Sequence, residues 1–86
     1  MYKVVLLKDA QKFYLKLLEN DRSIFERIKN ALFSLQENPF QGKPLKLELK
    51  GRYSLRVGVY RIIYEIDHKV VTVFVFDIGH RKNVYN

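Results

Sequence analysis

Residues 53–76 read Tyr-Ser-Leu-Arg-Val-Gly-Val-Tyr-Arg-Ile-Ile-Tyr-Glu-Ile-Asp-His-Lys-Val-Val-Thr-Val-Phe-Val-Phe. Tyr53, Leu55 and Val57 alternate with Ser54 and Arg56, the two-residue period of a strand with one apolar face. Gly58 permits a tight turn or bulge. Val59–Ile66 is dense in β-branched and aromatic residues and predicts a strong strand. Asp67 and His68 predict a turn, and Lys69–Phe76 predicts a further strand that Gly79 ends. Upstream, Leu45, Leu47 and Leu49 alternate with Lys46, Glu48 and Lys50, which predicts one more strand closed by Gly51.

Before this block the period changes. Residues 2–8, YKVVLLK, predict a short strand. Asp9 is the expected N-cap of a helix in which Ala10, Phe13, Tyr14, Leu17 and Leu18 share a face. Asn20 and Asp21 interrupt that pattern and can cap a second helix, whose stripe is Ile24, Phe25, Ile28, Leu32 and Leu35. Pro39 disfavours helix at Asn38 and ends it. The expected fold class is α+β: an N-terminal strand, an antiparallel helical hairpin, then a three- or four-stranded, mostly antiparallel sheet. If the helices cover one sheet face, the other is left for function.

The chain has 86 residues, room for one domain spanning 1–86. Apolar residues make up 48%, which argues against disorder. No cysteine is present, so a disulfide frame and a Cys-based zinc site are excluded. Val4–Leu7 is too short an apolar run for a membrane span or signal-peptide core, so a cytoplasmic protein without membrane attachment is expected. The net charge of +7 favours polyanionic partners. Much of it is concentrated: Lys43, Lys46, Lys50, Arg52, Arg56 and Arg61 are opposed within that stretch by Glu48 alone.

The two histidines, His68 and His80, and the scattered carboxylates show no metal-ligand spacing. The four glycines are isolated, so there is no phosphate loop, and no nucleophile elbow is present. No metal and no cofactor are expected. What remains is a set of cations and aromatics on the strands and the tail Gly79-His80-Arg81-Lys82-Asn83-Val84-Tyr85. Arg56 should emerge on the open sheet face, and Arg61 is a charge within an otherwise apolar strand, which is costly without a purpose or an ion-pair partner such as Glu65 or Glu48. Histidine is the usual proton donor or acceptor in catalysis, which makes His80 a candidate; Arg81 offers a planar fork for phosphate, and Tyr85 can stack on a base. Such groups suit metal-free RNA cleavage, in which a 2′-hydroxyl attacks the adjacent phosphorus while cations steady the added charge.

Leu49-Lys50-Gly51, Tyr53-Ser54-Leu55-Arg56-Val57-Gly58, Tyr60-Arg61-Ile62-Ile63-Tyr64 and the 79–85 tail resemble, in this order, the signature of the RelE/ParE toxins. Asn38-Pro39 and Gly42-Lys43-Pro44-Leu45 resemble that family's helix-to-sheet loop. The resemblance implies a toxin of a type II toxin–antitoxin pair. For the RelE branch it implies a ribosome-dependent, metal-independent endoribonuclease that cleaves mRNA in the decoding site. It also implies neutralisation by a small, acidic, RelB-like antitoxin, in a complex that can be a heterotetramer. Carried onto this chain, it assigns Arg56, Arg61, His80, Arg81 and Tyr85 to catalysis; the concentration of charge makes Lys43, Lys46, Lys50, Arg52 and Lys82 the expected RNA-binding set. Ser54 departs from the pattern, standing where the best-known member has a lysine; Lys50, Arg52 or Lys82 are candidates to compensate. The chain also stops one residue after Tyr85, without the extra C-terminal helix of some members. Two other readings are a ParE-type inhibitor of gyrase and a non-catalytic binder of RNA or of an acidic partner.

Overall fold

The computed structural model describes residues 1–80. Strand β1 (Lys3–Leu6) leads into α1 (Lys8–Asn20) and α2 (Arg22–Glu37), then a 3-10 turn at Pro39–Gln41. After it come β2 (Lys43–Pro44), a second 3-10 turn at Leu47–Leu49, β3 (Arg52–Val57), β4 (Tyr60–Asp67) and β5 (Thr72–His80). The strands form one sheet in the order β1-β5-β4-β3-β2. β1 runs parallel to β5, and the other pairings are antiparallel. The expected α+β class and order of elements are those observed.

The helices pack their apolar stripes on one sheet face. Ala10 and Leu17 of α1 and Phe25, Ile28, Leu32 and Leu35 of α2 are buried against Ile62, Tyr64, Val73, Val75 and Ile78. Each fully buried aliphatic side chain contributes about 1.5–3 kcal/mol. The Tyr14 and Phe25 rings, 4.6 Å apart, join the two helices. Asp21 starts α2 as expected: its carboxylate accepts from the Ile24 amide at 3.2 Å. Asn38 then caps the 3-10 turn through the Phe40 amide. Buried Tyr64 fastens this connection, donating to the Pro39 carbonyl at 2.7 Å and accepting from the Gly42 amide at 3.0 Å.

Four local expectations are corrected. Leu7, rather than Asp9, is the N-cap of α1. The Leu7 amide still donates to Val75 in the sheet while its carbonyl accepts from Gln11, so strand passes directly into helix. Asp9 lies in the first turn, where its charge favours the helix N-terminus. Residues 45–50 are not a strand: beyond Pro44 the chain forms the 3-10 turn, with Leu47 at φ 59° and 84% exposed. Leu45 and Leu49 stay half-buried while Leu47 turns outward, and turn hydrogen bonds from Leu49 to Lys46 and Lys50 to Leu47 replace strand pairing. β5 starts at Thr72 rather than Lys69, because Asp67 caps a longer turn by accepting from the Lys69 and Val70 amides. At its other end β5 continues through Gly79 to His80, with a register shift opposite Ile63/Tyr64.

Candidate functional site

The helix-free face of the sheet is set by strand alternation. Tyr53, Leu55 and Val57 turn towards the helices, so Arg52, Ser54 and Arg56 turn away. On β4, Tyr60, Ile62, Tyr64 and Ile66 pack on the core side, which puts Arg61, Ile63 and Glu65 on the open side. The register then aligns these side chains in rows. Arg56, Arg61 and Gly79 are direct cross-strand neighbours. The next row is Lys43, Ser54, Ile63 and Asp77, and the third is Arg52, Glu65 and Phe74.

The first row is the most distinctive. Directly opposed like charges on a sheet destabilise it by a few tenths to 1 kcal/mol, so an Arg–Arg pair is a cost. The guanidinium groups are oriented from behind. Arg61 Nη1 donates to Ser54 Oγ at 3.2 Å, and Ser54 is itself buried. Arg56 Nε donates to the Gly58 carbonyl at 3.3 Å. Gly58 holds φ at +61°, a left-handed conformation that glycine adopts without strain. A Cβ there would stand 2.9 Å from Nη2 of Arg27, so a third guanidinium reaches the hairpin tip from α2. Arg27 went unseen in the sequence, where it is one exposed cation off the apolar stripe of its helix.

Lys43 adds to this face: its partner across the ladder is Ser54, the position that departs from the family pattern. Register therefore supplies a cation beside Ser54 from β2. Lys46 and Lys50 flank the 3-10 turn towards the Arg52 end, four residues along β3 from Arg56. Lys50 shares a shallow depression there with Pro44, Gly51, Arg52 and His68. The Arg52 guanidinium lies over the Phe76 ring, its Cζ 4.1 Å from the centroid.

His80 corrects the expectation of one shared surface. It pairs with Tyr60, and their rings meet edge-on at 6.0 Å. Tyr60 in turn contacts Phe13 of α1 at 6.1 Å. His80 thus lies on the helix side of the sheet, away from the face of Arg56 and Arg61. The bulge in β5 explains this, because an inserted residue reverses which alternate positions face the core beyond it. Arg81, Lys82 and Tyr85 lie outside the described residues.

Two groups have displaced proton affinities. Burial pushes the Tyr64 phenol up to about 12, so it stays neutral and keeps donating to Pro39. Burial, and then the charge of Asp9, raise the Asp77 carboxyl above its ordinary value. Among the described residues no cluster of histidine, aspartate and glutamate could hold a metal ion. No helix among them is long and apolar enough to cross a membrane.

The fold is shared with known proteins. A family model described as the ParE toxin of type II toxin–antitoxin system, parDE, matches residues 4–85. Toxin RelG of Mycobacterium tuberculosis is 39% identical over 59 residues, which cover 67% of this chain and 68% of that one. A chain in the crystal structure of the RelBE2 toxin–antitoxin complex from Mycobacterium tuberculosis aligns with a TM-score of 0.82 and 34% identity, covering 93% of this chain and 98% of that one. The isolated E. coli RelE toxin shares the fold at a TM-score of 0.77 and 24% identity, over 93% of this chain and 84% of that one. With a family match along almost its whole length and relatives of this identity, the chain belongs to the RelE/ParE superfamily of type II toxin–antitoxin toxins and is of the RelE type.

Proposed function

We propose that the protein is a ribosome-dependent endoribonuclease that cuts translated mRNA. The observation that carries this reading is the direct cross-strand pairing of Arg56 with Arg61 on the helix-free face. Two arginines paired across neighbouring strands, with Lys43 and Ser54 in the adjoining row, suit an RNA phosphate that gains negative charge as it reacts. In the proposed step the 2′-oxygen bonds to the adjacent phosphorus and loses its proton to a base. The bond from phosphorus to the 5′-oxygen breaks and that oxygen takes up a proton. A 2′,3′-cyclic phosphate and a free 5′-hydroxyl result, and no metal is required.

Arg56 and Arg61 hold the phosphate, joined by Arg81 of the tail. Tyr85 stacks on a base or supplies the proton to the leaving oxygen. His80, on the Tyr60 side, is assigned a positioning role at the start of the tail rather than proton transfer at phosphorus. Lys43, Lys46, Lys50, Arg52 and Lys82 carry the flanking RNA. The ribosome orients the strand, and naked RNA is a poor substrate.

The same reading gives the protein a cognate antitoxin in the cytoplasm. Several structural relatives were solved as toxin–antitoxin complexes, RelBE2 and a heterotetrameric YoeB–YefM among them. The net charge of +7 and exposed Leu15 and Phe33 on the helices suit an acidic, partly disordered chain that folds as it binds. The description of the matching family model keeps a gyrase-directed reading as the second one. Parallel assays separate them. Codon-phased mRNA cleavage in a translating extract, with unaltered gyrase supercoiling, is the expected outcome. Blocked supercoiling with intact mRNA overturns the ribonuclease reading.

A further inference from the structure

Lys69–Phe76 is apolar at nearly every position, a pattern usual for strands covered on both faces. Here the helices cover one face only, where Val73 and Val75 are buried. Phe74 and Phe76 are left half-buried on β5. Phe74 aligns with Glu65 and Arg52 on the open side, and the Arg52 contact places the Phe76 ring there too. The open face therefore has an aromatic floor beside its arginines.

Arg52 reaches this floor from two strands away, passing over β4 to lie 4.1 Å above the Phe76 centroid. Its direct cross-strand neighbour is Glu65. Among the described residues no ion pair joins Arg52 to Glu65, and no hydrogen bond fixes its guanidinium. One side of the guanidinium is thus committed to the ring, and Arg52 as a whole stays half-exposed. A guanidinium plane backed by an aromatic ring is a stacking surface for a nucleobase, and its edge donates to phosphate.

We propose that Arg52, held over the Phe76 ring, forms a second nucleotide subsite that stacks a purine flanking the scissile phosphate. This rests on the ribonuclease reading above and adds a contact that the family pattern did not assign. Phe76, beneath the guanidinium, lies three residues along β5 from Gly79, the cross-strand neighbour of Arg61. The stacked base therefore belongs to a neighbouring nucleotide of the strand gripped by Arg56 and Arg61. The subsite favours purines because their larger π surface covers more of the guanidinium. It selects among sequences and takes no part in the bond changes.

The test is toxin binding to ribosomes programmed with mRNA that carries a 2′-O-methyl group at the scissile nucleotide, so that nothing is cut. A single abasic site is walked through the flanking positions. Wild-type toxin should lose affinity at one position by about 5- to 150-fold, the range set by base stacking. Arg52→Lys, which keeps the charge but not the plane, and Phe76→Leu, which keeps an apolar side chain, should both erase that position-specific loss. Thermal melts should show both variants folded. The proposal is overturned if the abasic profile of Arg52→Lys matches wild type, or if wild type has no sensitive flanking position. Binding is read without cleavage, so a failure here is distinct from failure of the ribonuclease reading, which would show as intact unmodified mRNA.

Discussion

Arg56 and Arg61 stand directly opposite one another on β3 and β4, two like charges joined by the strand pairing itself. Ser54 receives one guanidinium and the Gly58 carbonyl the other. A fold selected for stability alone would place a carboxylate in such a row.

Stability and activity should therefore move in opposite directions at this pair. Arg56→Gln removes the repulsion and should raise stability by about 0.2–1 kcal/mol. The same change should reduce mRNA cleavage at least tenfold, since a donor aimed at developing charge is worth up to about 10²–10³ in rate. Urea denaturation beside a cleavage time course measures both. A variant that loses stability and keeps its activity contradicts the assignment.

Tyr64 and Gly42 should behave as one unit. A Cβ on Gly42 would stand 2.5 Å from the Tyr64 hydroxyl that accepts its amide hydrogen bond. Tyr64→Phe leaves the Gly42 amide and Pro39 carbonyl without that partner, at a cost of about 1–3 kcal/mol for each group left unsatisfied. Gly42→Ala alone should also destabilise. The double variant should lose less than the two singles together, because phenylalanine lacks the atom the new methyl would strike. Denaturant midpoints for the three variants test this coupling, and strict additivity would refute it.

The Tyr64 phenol also sets an alkaline limit. Its folded pKa of about 12 lies above the ordinary value of 10.0. Its contribution is then complete below the ordinary value and is lost as pH rises through the folded one. Wild type should lose stability over that window more steeply than Tyr64→Phe.

Asp77 predicts a pH effect in the acid range. Its folded pKa is raised, chiefly by burial and then by Asp9, so its ionisation works against the fold. Relative to the protonated state, stability is retained below the ordinary aspartate range and falls as pH rises through the folded pKa. Asp77→Asn should therefore melt higher than wild type near neutral pH, with the gap closing in acid. A gap that widens in acid would show the opposite shift.

Much of the architecture was legible because period and chemistry agree along most of the chain. The stripe from Ile24 to Leu35 and the alternation from Tyr53 to Val57 each report a single buried face, and the helices and sheet meet along them. Leu45–Leu49 failed because alternation states only that a buried face is available, and turn hydrogen bonds replace strand pairing there. Asp9 failed as a cap because β1 enters α1 without a break. Arg56, Arg61 and Lys43 were legible as cations, and the register showed that they share one face. His80 was misplaced because Gly79 reads as the end of a strand, whereas β5 runs on to His80 and pairs it with Tyr60. Arg27 and Phe76 were missed because their roles arise from contacts between elements distant in sequence.

Primer extension on mRNA in a translating extract, comparing wild type with Arg61→Ala, tests the central claim most directly. Codon-phased stops that appear only during translation, and that fall about 10²–10³-fold in the variant, are the predicted result. Equal stops from a folded Arg61→Ala protein would show that the paired arginines do not hold the reacting phosphate.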